Sequence, residues 1–215
     1  MTLLQRLAKR WVGLRKKPLL CFYSRIWMRL FGCTVPASAK IYGFPNLLRH
    51  EGKIIIGERV MMNSLRSIYR FGQPFPRMVL STTKTGVIEI GDDAGLNGSA
   101  IHAEKKVFIG KRVMIGAGCR IADVSFHPVD AVPRRHLEDK EPQEVRIEDD
   151  VWLGVDVQVG KGVTIGKGSV IGAKSMVTSD IPPFVLAAGT PAKVIRPLRC
   201  PHETDPDDVH ANVVP

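Results

Sequence analysis

From Ile147 to Ile181 the chain reads IEDDVWLGVDVQVGKGVTIGKGSVIGAKSMVTSDI, and this stretch decides the fold. A branched aliphatic residue returns at every sixth position: Ile147, Leu153, Val159, Ile165, Ile171 and Val177. Glycine follows four of them, at Gly154, Gly160, Gly166 and Gly172, and a small or β-branched residue stands four places after each aliphatic, from Val151 to Ile181. Six does not fit a helical turn, but it is even, so each aliphatic falls on the same face of an extended strand. Glycine once per repeat lets the backbone turn where a side chain would collide. A chain that extends, turns and extends again with one face always apolar is a solenoid of parallel rungs.

The same unit occurs earlier at Ile109-Gly110, Ile115-Gly116 and Ile121, and more raggedly at Ile56-Gly57, Ile90-Gly91 and Leu96. Between Ile121 and Ile147 the spacing of 26 is not a multiple of six. Residues 122–146 are also densely charged and contain Pro128, Pro133 and Pro142, so they are expected to leave the solenoid as a loop. Three regions follow: a basic helical extension over 1–49, a solenoid over 50–197, and a tail over 198–215 whose acids and prolines predict disorder.

The 215 residues carry 31 basic and 21 acidic side chains, a net charge of +10. All of that excess lies in residues 1–50, which hold ten Lys or Arg and no acid, so the body is formally neutral and no nucleic-acid partner is expected. Leu3, Leu4, Leu7, Trp11 and Leu14 recur at helical spacing among basic residues, and a second helix is expected from Leu19 to Phe31, ended by Gly32. Cationic charge beside Trp and Leu suits contact of residues 1–32 with an anionic membrane surface; packing on the body or on a neighbouring subunit is the alternative. No apolar run is long enough to span a bilayer, and no cleavable leader is recognised. Cys21, Cys33, Cys119 and Cys200 form no CxxC pair, which fits a reducing cytoplasm.

Several ordered motifs resemble the hexapeptide-repeat acyltransferases, in particular the maltose and galactoside O-acetyltransferases and those that modify bacterial capsule, exopolysaccharide and O-antigen sugars. They are Phe126-His127-Pro128-Val129-Asp130 with Arg134-Arg135, Val151-Trp152-Leu153-Gly154, Asp180-Ile181-Pro182-Pro183, and Ala187-Ala188-Gly189-Thr190-Pro191-Ala192-Lys193-Val194-Ile195-Arg196. The resemblance implies an all-β, left-handed parallel β-helix. It also implies a homotrimer with active sites between subunits, acetyl-CoA as donor, no metal, and a sugar or glycan acceptor, lipid-linked if the N-terminus holds the membrane.

His127 would be the general base, since a neutral imidazole can take the proton from a sugar hydroxyl. Asp130 or Asp123 would orient it. Trp152 would wall the thioester and acceptor, Gly154 and Ala173 would leave room for the pantetheine arm, and Thr178, Lys193 and Arg196 would face the adenine and phosphate end. Ser179 departs from the Lys often found at that position. Asn97, Arg134 and, more weakly, Asn63 and Arg66 are acceptor-side candidates. The alternatives are N-acetylation of an amino sugar or nucleotide sugar, a non-enzymatic trimeric scaffold, and a γ-carbonic-anhydrase-like zinc enzyme using His102, His127 and His136.

Overall fold

The computed structural model describes residues 18–65, 76–127 and 141–199, the side chain of Arg49 excepted. The chain winds through coils of three short strands. The first coil is β1 (Lys40–Tyr42), β2 (Asn46–His50) and β3 (Lys53–Ile56), and the second is β4 (Met61–Asn63), β5 (Val79–Thr82) and β6 (Val87–Ile90). The third is β7 (Gly95–Asn97), β8 (Ala100–Ala103) and β9 (Lys106–Ile109), and the fourth β10 (Met114–Ile115), β11 (Arg120–Ala122) and β12 (Val145–Ile147). Then come β13 (Trp152–Leu153), β14 (Gln158–Val159) and β15 (Thr164–Ile165), and finally β16 (Val170–Ile171), β17 (Met176–Val177), β18 (Val185–Gly189) and β19 (Ala192–Pro197).

As far as β17 each strand pairs in parallel with the one three places on, and β18 then joins β16, so that the described strands form three sheets: β1-β4-β7-β10-β13-β16-β18-β19, β2-β5-β8-β11-β14-β17 and β3-β6-β9-β12-β15. Among the described strands only the closing β18–β19 pair is antiparallel. The aliphatics of the six-residue repeat all point inward and are fully or nearly fully buried, as at Ile147, Leu153, Ile165 and Val177.

Stacking explains the glycines. A Cβ at Gly116 would lie 2.7 Å from the carbonyl carbon of Gly154, and one at Gly154 would lie 2.6 Å from the backbone nitrogen of Ala173. The missing side chain at Gly154 therefore admits the next coil.

The first coil begins at Lys40, ten residues before the boundary at 50 drawn from the repeat. It escaped the pattern because Pro36, Pro45 and Gly43 stand among its short strands instead of regular Ile-Gly units. Fifteen residues also separate β4, ending at Asn63, from β5, beginning at Val79, an interruption that the repeat pattern does not mark.

Helix α1 (Pro18–Leu30) covers the open end of the first coil. Gly32, at φ +82°, closes it: Gly32 N–H donates to Arg29 O and Cys33 N–H to Met28 O, a Schellman termination. Cys21, Ser24 and Met28 are buried beneath it. Arg25 Nη1 donates to Ala39 O at 2.9 Å and Arg29 Nε to Val35 O at 2.8 Å, so these two cations tie the helix down. The expected helix from Leu3 lies outside the described residues.

Gly116→Ala should destabilise the protein by about 2 kcal/mol, lowering the melting temperature by about 4–8 °C, because backbone atoms must move. A Cβ at Gly95 meets nothing within 4 Å, so Gly95→Ala should stay within about 0.5 kcal/mol of the parent in the same thermal scan.

Candidate active site

His127 stands where the chain leaves β11, at the base of the loop, and is exposed. The preceding turn is held by Asp123, which is fully buried. Its carboxylate accepts the backbone N–H groups of Glu104, Lys105 and Lys106 at 2.8, 2.7 and 2.8 Å, and Gln143 N–H returns to Asp123 O at 2.7 Å. With both oxygens committed to the neighbouring corner, Asp123 anchors the loop and is not a partner for His127, which corrects that expectation. Asp130, Arg134 and His136 lie outside the described residues, as does Arg66.

Phe126 packs on His102 with ring centroids 5.3 Å apart. His102 projects from β8, with Nδ1 3.0 Å from Ser81 Oγ and Nε2 3.6 Å from Glu104 Oε1. The sequence offers His102 only as a zinc-ligand candidate and does not disclose its contact with Phe126. Its outward position in β8 was the available signal. Among the described residues no three His, Cys, Asp or Glu side chains converge as a metal site.

Trp152 lies on a different face. Strand register places Met114, Trp152, Val170, Leu186 and Arg196 in one row across the outside of the eight-stranded sheet. Trp152 and Met114 are half exposed, and Lys193 stands opposite Ala188 on the same closing strand as Arg196. Ala173 lies at the turn that follows β16, and Thr178 directly after β17, both exposed. One chain thus brings Trp152, Lys193 and Arg196 to one sheet, while His127 and Thr178 border another.

Asn97 is exposed at the end of β7 beside Asn63. The Asn63 side-chain oxygen accepts Leu65 N–H at 3.2 Å, a turn contact, and the Asn97 carbonyl accepts Ser99 Oγ–H. Burial pushes the Cys33 thiol up to about 12 and the Cys119 thiol up to about 11, so neither is an ionised nucleophile at neutral pH.

A coiled, parallel prism of six-residue repeats with a histidine-bearing loop defines the class. The family described as bacterial transferase hexapeptide (six repeats) matches residues 144–179. A hexapeptide-repeat acetyltransferase from Vibrio cholerae is 36% identical, over 56% of this chain and 68% of that one, with a TM-score of 0.51. The chain belongs to the hexapeptide-repeat acetyltransferases, and its β-helix is left-handed.

A galactoside O-acetyltransferase of Lactococcus lactis is 47% identical over 92 residues, 43% of this chain and 44% of that protein. The chain thus spans less than half the length of that curated relative. An N-acyltransferase from Bacillus cereus, solved with dTDP and 3-hydroxybutyryl-CoA, shares the fold at 18% identity, covering 82% of this chain and 89% of that one with a TM-score of 0.63.

Asp123→Ala would remove the shared acceptor of three backbone N–H donors, at Glu104, Lys105 and Lys106. It should cost about 3 kcal/mol in urea unfolding, against a smaller loss for Asp123→Asn, which keeps one carbonyl oxygen.

Proposed function

We propose that the chain is an O-acetyltransferase that moves an acetyl group from acetyl-CoA to a sugar hydroxyl, in the biosynthesis of a bacterial surface polysaccharide. The row from Trp152 to Arg196 carries this reading. It is apolar at Trp152, Val170 and Leu186 and cationic at Arg196 and Lys193, three strand spacings or about 14 Å away. Such a strip fits an acyl-thioester arm whose far end bears phosphates, with Trp152 against the thioester and the two cations as charged donors. Thr178 and Ala173 would border the same donor.

The sugar oxygen attacks the thioester carbonyl, forming the C–O bond as the C–S bond breaks. His127 accepts the hydroxyl proton and returns it to the departing thiolate, so no acyl-enzyme is needed. Asp130 would orient the imidazole, and Asn97 and Arg134 would hold the acceptor. Because Trp152 and His127 belong to different faces of one prism, the reading joins the face of one subunit to the loop of another, in a homotrimer. His127→Ala should lower kcat by about 10²- to 10⁴-fold in a thiol-release assay. Lys193→Ala with Arg196→Ala should instead raise the KM for acetyl-CoA by about tenfold or more. Undiminished turnover in His127→Ala would remove the base from the scheme.

For the N-terminus we propose peripheral contact with the inner face of the cytoplasmic membrane, where a lipid-linked acceptor would be met. Leu19, Phe22, Tyr23, Leu30 and Phe31 are exposed at this end, and among the described residues no helix is long and apolar enough to cross a membrane. Since Arg25 and Arg29 are engaged by the first coil, the attracting charge would come from residues before Pro18. Deleting residues 1–17, which spares the packed helix, should abolish sedimentation with anionic liposomes; unchanged sedimentation would overturn the contact.

A further inference from the structure

A cleft of about 580 Å³ opens along the corner between the eight-stranded and six-stranded sheets. Its origin is local. The turn column at this corner runs Gly98, Gly118, Asp156 and Lys174, all at positive φ. The two lower coils have no side chain there, while the two upper coils carry an acid and a base. On the adjoining face, register places Val79, Ala100 and Arg120 in one row, so a large cation rises beside two small residues. Arg77, just before β5, lines the cleft from the side of the Asn63–Val79 connection.

Charge separates this corner from the one between the eight-stranded and five-stranded sheets. There Arg59 grips Asp93 and Arg112 grips Asp150 through paired short hydrogen bonds, and Lys111 pairs with Asp92. In the cleft Arg77, Arg120 and Lys174 face a single acid, Asp156, and none of the three forms an ion pair among the described residues. Three unpaired cations around a concavity of this size favour an anionic ligand larger than a simple ion.

We infer that this cleft binds the acceptor, and that the acceptor is an acidic saccharide whose carboxylate or phosphate is held by Arg77, Arg120 and Lys174. The oxyacid group takes guanidinium and ammonium donors, and the Asp156 carboxylate accepts a ring hydroxyl. Val79 and Ala100 meet the apolar face of the ring. The inference rests on the sugar-acetyltransferase reading for the word acceptor, but not for the binding of an acidic sugar. Of the described acceptor candidates read from the sequence, Asn97 adjoins the cleft through its chain neighbours Gly98 and Ser99, and Asn63 O accepts the Gly98 N–H at 3.0 Å.

The test titrates the full-length protein with glucose, glucuronate and glucose 1-phosphate, reading affinity by calorimetry and location by the backbone amide signals of Gly98 and Gly118. The acidic sugars should bind about tenfold or more tightly than glucose, as one or two charge-assisted contacts supply. Which of the two is tighter identifies the group as carboxylate or phosphate. Arg120→Ala with Lys174→Ala should bring all three sugars within about twofold of one another, whereas Lys84→Ala, on another corner, should change nothing. Equal affinity for glucose and both acidic sugars overturns the inference, and so do shifts at residues away from the cleft. Displacement of the acidic sugar by acetyl-CoA overturns it too, by assigning the cations to the donor. Acidic-sugar binding that passes these tests, with no thiol released from acetyl-CoA by any sugar, leaves the binding site standing and removes the transferase reading instead.

Discussion

Parallel stacking of coils one strand spacing apart, about 4.8 Å, is the constraint on which the molecule depends. It buries an aliphatic from each strand against those above and below, and it leaves no volume for a side chain where the coils turn most closely. At Gly91 a Cβ would lie 2.7 Å from the carbonyl carbon of Gly110, and at Gly110 it would lie 2.5 Å from the Asp149 carboxylate. The exterior inherits this order, because residues a whole coil apart in sequence become lateral neighbours. The row from Met114 to Arg196 and the turn column from Gly98 to Lys174 are both products of that register.

The interior of the fold was legible because burial and period coincide: the aliphatics at six-residue spacing are the buried ones, and the α1 terminator was visible as Gly32. The first coil was not, since Lys40–Tyr42 and Asn46–His50 fold into it with no Ile-Gly unit to mark them. The connection from Asn63 to Val79 was hidden for a related reason, lying where the repeat is too irregular for an interruption to stand out.

The candidate site was legible by motif but not by role. Asp123 has the chemistry of a histidine partner, and only three-dimensional proximity reveals that Glu104, Lys105 and Lys106 present their amides to it. At Gly154 the glycine also serves the stacking of the next coil, a demand that the motif alone does not disclose. The cationic corner could not be read from charge counts, because Arg77, Arg120 and Lys174 are far apart in sequence and resemble the paired Arg59 and Arg112 until the coils are stacked.

The two ends of the prism set its length. A stack of identical rungs offers hydrogen-bonding edges above and below and has no internal reason to stop, so in isolation it is a template for indefinite head-to-tail growth. At the leading end α1 lies across the first coil and its arginines take up carbonyls at Val35 and Ala39. At the trailing end the chain reverses direction in β18–β19, presenting an antiparallel strand of different polarity to anything approaching. Finite size is therefore encoded in the termini alone, and the repeats between them could gain or lose a coil without any change in how each coil is made.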